Sequence, residues 1–253
     1  MSNLVFFKPV YAWIKCWQRT GHGTRLCPDL FGPGRDKEYF RIFDFGGNFE
    51  FFGENPEVME ATDASPLGVR LFRSRVRLLE HVRKAPELDP GGTLDGALVH
   101  VLHGEVAAMN PRNFIVRMHL QAVERFRKRE AWNALSGDDY ELLHREVAGL
   151  PGEAEEDAIE SRLFDLTALS MQLALVEEDR GGFERRRRRV AEIAALLEEK
   201  AAIPAVKAQL AYLAALQDVS FWEGITLDML EEMRLRLRGL VAFLDRKTRT
   251  LVY

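Results

Sequence analysis

The stretch VRLFRSRVRLLEHV, residues 69–82, decides the fold class of this 253-residue chain. Its apolar residues recur at close to the 3.6-residue period of an α-helix that buries one face. They are Val69, Leu71, Phe72, Val76, Leu79 and Val82. The same periodicity continues to near the end of the chain, so we predict a mainly α fold after residue 60.

Six further helices are predicted from this pattern, and a last one begins after Thr226. They span residues 94–109, 113–128, 140–147, 155–178, 183–200 and 204–216. Leu150-Pro151-Gly152 is the best boundary among them, and the part beyond it is typical of an antiparallel helical bundle. We find no internal repeat.

Several helix ends carry their own signals. We predict Asn113 and Thr226 as N-caps, because their side chains can accept a backbone N–H. Either Asp138 or Asp139 is predicted to cap the helix at 140–147. Gly181-Gly182 is predicted to separate two long helices, and Pro204 fits the opening turn of another.

The first sixty residues differ from the rest, with dense glycine, proline and aromatic residues. Residues 4–7 and 39–45 have the composition of strands, and Phe40, Ile42, Phe43 and Phe45 suit a buried strand beside a larger sheet. Two strands cannot form a stable sheet alone, so we expect the end of an α/β domain. The predicted organisation is 1–60 for this remnant, 61–150 for a helical region and 151–253 for the bundle.

The composition of the chain argues against several classes of protein. No apolar run approaches the roughly 20 residues that span a bilayer, so we expect no membrane partner. Cys16 and Cys27 fit no disulfide or metal framework, which favours a cytoplasmic location, and we predict no metal site. The net charge of −4 argues against a simple basic coat protein for nucleic acid.

Local charge is more informative than the total. Residues 70–84 contain six Lys or Arg and one acid, as do residues 112–129. As a hypothesis, Arg73, Arg77, Arg127 and Lys128 contact DNA phosphates; a solvated helix face is the alternative for each stretch. For the run Arg185 to Arg189 we favour a salt-bridged segment, with Glu184 paired to Arg188.

The segment QRTGHGTRLCPD, residues 18–29, resembles motif VI of superfamily-2 helicases. Gln18 matches the glutamine of that motif and Arg25 matches its second arginine, while His22 departs from the pattern by replacing the first. The resemblance implies that Gln18, Gly21, His22 and Arg25 face a nucleotide. An arginine at such a site stabilises charge on the γ-phosphate during phosphoryl transfer, so Arg25 is the predicted catalytic residue.

The flanking sequence resembles the motor subunit, called R, of type I restriction enzymes. The similar segments are Trp17-Gln18, Gly23–Gly34, Asp36-Lys37, Ile42–Phe45, Asn48–Phe52, Ile203–Val206, Phe221-Trp222, Met229–Glu232 and Leu251–Tyr253. The likeness therefore extends over nearly the whole chain, and the remnant at 1–60 would be the end of a RecA-like lobe.

This resemblance implies a role in ATP-dependent DNA translocation and restriction. It implies ATP with Mg²⁺ as cofactor, and double-stranded DNA with the methyltransferase and specificity subunits as partners. The sequence contains no Walker A loop and no Walker B box. We therefore expect a fragment of such a subunit that does not hydrolyse ATP by itself and that docks on the methyltransferase through residues 151–253.

Two alternatives remain open at the level of sequence. In one, the chain is an inert helical interaction module, which the replacement of arginine by His22 favours. In the other, it is the helical extension of a different superfamily-2 helicase, which the match at residues 26–34 disfavours.

Overall fold

The computed structural model describes residues 3–7, 20, 32–33, 37, 40–45, 65–152 and 157–244. The chain divides into two compact units, Met1–Ser65 and Pro66–Tyr253. Each unit is described by itself.

The first unit contains a pair of parallel strands, β1 (Asn3–Phe6) and β2 (Arg41–Asp44), with Asn3 opposite Arg41 and Phe6 opposite Asp44. Parallel neighbours require a crossover connection, so the chain between them must return to the same end of the sheet. The predicted strand positions are thus confirmed to within two residues.

Burial at the second strand differs from the expectation. Phe43 is 43% exposed and Phe45 is 70% exposed, and among the described residues no larger sheet lies beside the two strands. Phe45 instead stacks on Phe7 at 5.5 Å between ring centroids. Alternating aromatic residues fit a strand on either face of a sheet, and the pattern alone does not say which face is covered.

The second unit is helical, which confirms the mainly α fold. A short two-strand sheet at the N-terminal end and a helical bundle at the C-terminal end complete the predicted architecture. The α-helices are α1 (Leu67–Lys84), α2 (Thr93–Ala107), α3 (Phe114–Met118), α4 (Leu120–Phe126), α5 (Gly137–Leu142), α6 (Ile159–Val176), α7 (Arg180–Glu198), α8 (Pro204–Lys207), α9 (Leu210–Gln217) and α10 (Leu227–Leu237). Single turns of 3₁₀-helix lie at Pro86–Leu88, Arg129–Trp132, Val219–Trp222 and Val241–Phe243, and α5 continues into a π-helix at Leu143–Val147.

Two helices that the sequence predicts as continuous are broken. The helix predicted at 113–128 bends at His119, whose φ of −117° lies outside the helical region. The helix predicted at 204–216 bends at Gln209, with φ −110°. Apolar periodicity continues across both bends, so the pattern does not reveal them.

The predicted caps are confirmed at two helices and wrong at a third. The Asn113 side chain accepts a hydrogen bond from the Ile115 N–H, and Thr226 accepts one from Met229. At α5 the N-cap is Ser136 rather than Asp138 or Asp139. Asp139 is the third residue of the helix and bonds back to the Ser136 N–H at 2.9 Å, which is the reciprocal arrangement of a capping box.

The glycine pair was predicted to separate two helices, and the structure corrects this. Gly181 and Gly182 lie within the first turn of α7. Asp179 caps that helix by accepting the Gly182 N–H at 2.9 Å. A Cβ at Gly182 would lie 1.9 Å from the Asp179 carboxylate, so this glycine serves the cap rather than a break.

The helical unit contains an internal repeat, contrary to the sequence reading. The order α1, α2, α3, α4, 3₁₀ turn, α5 recurs as α6, α7, α8, α9, 3₁₀ turn, α10. The two bends, at His119 and Gln209, are 90 residues apart. The same spacing separates four further pairs of related residues: Val116 and Val206, Leu120 and Leu210, Trp132 and Trp222, and Ser136 and Thr226.

A hydrogen bond that recurs in both copies supports this correspondence. The Trp132 indole donates to the Phe126 carbonyl at 2.7 Å, and the Trp222 indole donates to the Leu216 carbonyl at 3.0 Å. Both indoles are buried. We call residues 67–147 the first repeat and residues 159–237 the second repeat.

Helix α6 joins the two repeats because it belongs to two cores. Leu166, Leu169 and Leu173 pack with the first repeat, whereas Phe164 and Met171 pack with the second. A helix that is apolar on opposite faces is buried between neighbours. Trp222 packs in the second of these cores.

Candidate DNA-contact surface

The four residues predicted to face a nucleotide, Gln18, Gly21, His22 and Arg25, lie outside the described residues. The structure therefore places only the cations that are predicted to contact DNA. Arg73 and Arg77 lie one turn apart on α1, whereas Arg127 and Lys128 follow the end of α4. The four cations belong to two different elements of the first repeat.

Arg73 has a structural role in the fold. Its Nε donates to the His144 carbonyl at 3.3 Å across 71 residues of chain. His144 lies in the π-helix that follows α5, where wider turns alter the usual backbone pairing. Burial and then the nearby charge of Arg73 lower the pKa of His144. Arg73 thus ties α1 to the π-helix.

Arg77 is exposed but paired. Its Nε lies 2.7 Å from Glu177 Oε1, and its side chain is 58% exposed. The same oxygen is 3.1 Å from His81 Nε2. Exposed ion pairs contribute about 0–1 kcal/mol, so little free energy keeps Arg77 on Glu177 when a phosphate offers a competing anion.

Arg127 and Lys128 are better placed to contact a phosphate. Both are exposed, and neither side chain forms an ion pair with a described residue. The Arg127 carbonyl accepts a hydrogen bond from His103 Nε2 at 2.9 Å, which fixes the backbone from which both side chains project. His103 thus ties α2 to the residues that follow α4.

Three more cations share these properties although no role was predicted for them. Arg112, Arg117 and Arg129 are exposed and unpaired within the described part of the chain. Arg125, by contrast, binds the buried Asp139 at 2.6 Å. The count of six basic residues in this stretch was a usable signal, but it could not separate the paired arginine from the others.

The arginine run of α7 is largely bound to its own helix. Arg188 lies 3.2 Å from Glu184, which confirms the predicted pair, and Arg187 binds the same carboxylate through two nitrogens. Hydrogen bonds from Arg187 lower the pKa of Glu184 to about 2. Arg186 donates to the Gly182 carbonyl at 2.8 Å. This favours the salt-bridged interpretation over a DNA contact.

A buried ionic network lies in the helical unit. Asp165 of α6 is only 2% exposed and lies 2.8 Å from Arg234 and 3.1 Å from Arg238. Burial alone would lower the pKa of Arg234, but its bonds to Glu231 and Asp165 raise it. Nearby, Arg75 of α1 binds Glu105 at 2.6 Å. The network holds α6 against α10, and sequence patterns gave no sign of it.

Among the described residues, no group of three or more His, Cys, Asp or Glu side chains has the arrangement of a metal site. None of the described helices combines the length and apolar character required to cross a bilayer.

Comparison with protein-family models, with curated proteins and with solved structures finds no match to this chain.

Proposed function

We propose that this chain contributes to ATP-dependent DNA translocation as part of the R subunit of a type I restriction enzyme. Within that complex Arg25 completes a nucleotide site, and the cations that follow α4 contact the DNA backbone. The chain acts with a Walker-motif lobe that binds ATP and Mg²⁺, and with the methyltransferase and specificity subunits.

The parallel pairing of β1 with β2 is the observation that carries this proposal. An α/β lobe of the RecA-like kind is built from parallel strands joined by crossovers. Here the connection between Phe6 and Arg41 contains the motif with Gln18 and Arg25. The resemblance in sequence and the topology of the strands therefore agree.

The charge distribution gives independent support. Contacts to the DNA backbone need local positive potential rather than a positive total. Arg127 and Lys128 supply it from a rigid helix end and are not neutralised by neighbouring acids among the described residues. Because Arg73 is bound to the π-helix, the proposal now assigns the DNA contact mainly to Arg127 and Lys128.

A trans-complementation assay tests the nucleotide role. The chain is combined with the Walker-motif lobe of an R subunit from the same genome, and DNA-stimulated ATP hydrolysis is measured. We expect hydrolysis only with both parts, and a loss of roughly 10³-fold with Arg25→Ala, the lower end for an arginine finger. Arg189→Ala is the matched control. Hydrolysis that is unaffected by Arg25→Ala would favour the inert helical module.

A binding assay tests the DNA role. Arg127→Gln/Lys128→Gln is compared with Lys207→Gln of the second repeat in duplex DNA binding over a series of salt concentrations. Each lost phosphate contact reduces the slope of log K against log salt by about 0.9, so we expect a decrease of nearly 2 for the double variant. Equal slopes for wild type and double variant would exclude this contact.

A further inference from the structure

A patch of large apolar side chains faces solvent on α3. Phe114 is 77% exposed, Ile115 48% and Met118 62%. Residues three and four positions apart are neighbours on a helix surface, so Met118 lies beside both of the others. Val116, which is fully buried, anchors the opposite side of the helix. The three exposed side chains therefore form one continuous surface.

This surface is flanked by cations that no acid among the described residues neutralises. Arg112 and Arg117 are exposed and form no ion pair with a described residue. Arg117 is also three residues from Phe114, which places it at the edge of the apolar surface. The sequence contains no Asp or Glu between Glu105 and Glu124. We call Arg112, Phe114, Ile115, Arg117 and Met118 the α3 patch.

The second repeat shows that the fold does not need these apolar side chains. At the spacing of 90 residues, α8 has Pro204, Ala205 and Ala208 in their place. Its single buried residue is Val206, the counterpart of Val116, and it meets the next helix at the equivalent bend. The same local structure therefore forms with small side chains, and the α3 patch is a feature added to one copy.

We propose that the α3 patch docks an acidic, amphipathic segment of a partner protein. Interface cores are enriched in aromatic residues, Met and Arg and depleted in Lys, and the α3 patch contains Phe, Met and Arg but no Lys. Covering the apolar centre would also remove water from the two guanidinium groups. The partner must then supply carboxylates to pair them.

A nucleic acid fits this surface less well than a protein segment. Single strands bind where aromatic rings stack with successive bases, and the α3 patch offers one ring beside two aliphatic side chains. Contacts to duplex phosphates use cations and gain nothing from Ile115 and Met118. The inference is independent of the DNA contact proposed for Arg127 and Lys128.

Peptide titration with the full chain tests this inference. The probe is a fluorescein-labelled helical peptide of about 15 leucine and glutamate residues, with leucines at positions i, i+3, i+4 and i+7. A lysine–leucine peptide, single-stranded DNA and duplex DNA are titrated in parallel by fluorescence anisotropy. We expect saturable binding of the glutamate peptide, at least about tenfold tighter than that of the lysine peptide.

Three double variants test which side chains of the α3 patch bind the peptide, and the first copies residues of the second repeat. Ile115→Ala/Met118→Ala introduces the residues that α8 already has, so the fold tolerates it, and we expect affinity for the glutamate peptide to fall about tenfold or more. Arg112→Gln/Arg117→Gln should weaken it and reduce its dependence on salt. Val219→Ser/Leu235→Ser removes two exposed apolar side chains of the second repeat and should leave affinity unchanged.

Three results would overturn the inference. One is equal binding of the lysine and glutamate peptides, which would indicate non-specific apolar adhesion. Another is equal affinity of the wild type and Ile115→Ala/Met118→Ala for the glutamate peptide. The third is DNA binding that this double variant abolishes while peptide binding is absent, which would make the α3 patch a nucleic-acid surface.

Discussion

In the first repeat the sequence Arg70-Leu71-Phe72 is followed by Arg73, and in the second the sequence Arg162-Leu163-Phe164 is followed by Asp165. Equivalent positions of one motif thus carry opposite charges. Arg73 binds a backbone carbonyl of the π-helix, whereas Asp165 is buried between two arginines. The two repeats therefore share an apolar framework but use different polar contacts to hold their first helices, α1 and α6, against neighbouring elements.

The repeats also differ in what they present to solvent. The stretch 110–129 has six basic residues and one acid, while its counterpart 200–219 has two basic residues and one acid. Both stretches fold into two short helices and a 3₁₀ turn. Because both stretches build the same order of elements, the added charge and apolar surface of the first repeat are not needed to form them, and the proposed DNA and peptide contacts rest on these additions.

The largest expected effect concerns the framework that the repeats share. Trp132→Ala should lower the free energy of unfolding by about 3–5 kcal/mol, because a fully buried indole leaves a large cavity. Trp222→Ala should act at the lower end of that range, since Trp222 is 7% exposed. Urea unfolding followed by circular dichroism measures both. A loss below about 1 kcal/mol for either variant would remove that tryptophan as an anchor of its repeat.

The next largest effect is expected at the polar contact that is specific to the second repeat. Asp165→Asn keeps the shape of the side chain but leaves Arg234 and Arg238 without their shared buried anion. We expect a loss of about 3 kcal/mol, the low end for breaking a buried pair, because both arginines retain some contact with water. The measurement is the urea midpoint at constant slope.

Asp157 offers a matched control for this network. It also binds Arg238, but its side chain is 61% exposed. Asp157→Asn should therefore cost no more than about 0.5 kcal/mol. Equal losses for the two variants would show that burial of Asp165 does not determine its contribution.

A smaller loss of stability is expected when the N-cap side chains of α5 and α10 are removed. Ser136→Ala and Thr226→Ala should each cost about 1 kcal/mol, and each should act on its own repeat. Amide hydrogen exchange in the first turns of α5 and α10 measures this. If Ser136→Ala lowered the protection of the α10 amides, the two caps would not act independently.

The smallest effect is a shift in titration. Glu184 has a pKa of about 2 because Arg187 binds its carboxylate, and Arg187→Gln should raise that pKa toward its ordinary value of 4.5. A depressed pKa stabilises the folded state above the ordinary value, and this contribution is lost as pH falls toward 2. Carboxyl NMR titration measures the shift. An unchanged midpoint in the variant would exclude Arg187 as the cause.

Much of the fold could be predicted because local signals and apolar periodicity agree. Asn113 and Thr226 were recognised as caps from their residue type and position. Ser136 is not singled out by the sequence because Asp138 and Asp139 lie two and three residues after it, and either satisfies the same rule. Gly181-Gly182 resembles a break, and only the distance from Gly182 to Asp179 reveals its place in a cap.

The repeat is not evident from the sequence because few residues are identical between its two copies. Trp132 and Trp222 are identical, but Ser136 corresponds to Thr226 and Phe126 to Leu216. What persists is the pattern of buried positions, which becomes visible only when bends and hydrogen bonds are known. For the candidate site, the sequence indicated the basic stretches but not which cations are paired, since pairing depends on contacts such as the one between Arg77 and Glu177.

The two buried indoles give each repeat its own optical reporter. Trp132 and Trp222 occupy equivalent positions 90 residues apart, and the sequence has two further tryptophans, Trp13 and Trp17, which the reporter variants would carry as phenylalanine. Chains that retain a single indole would then emit from one repeat at a time. Coincident fluorescence transitions would show that the halves melt together through α6, and separated transitions would define two cooperative units within one array.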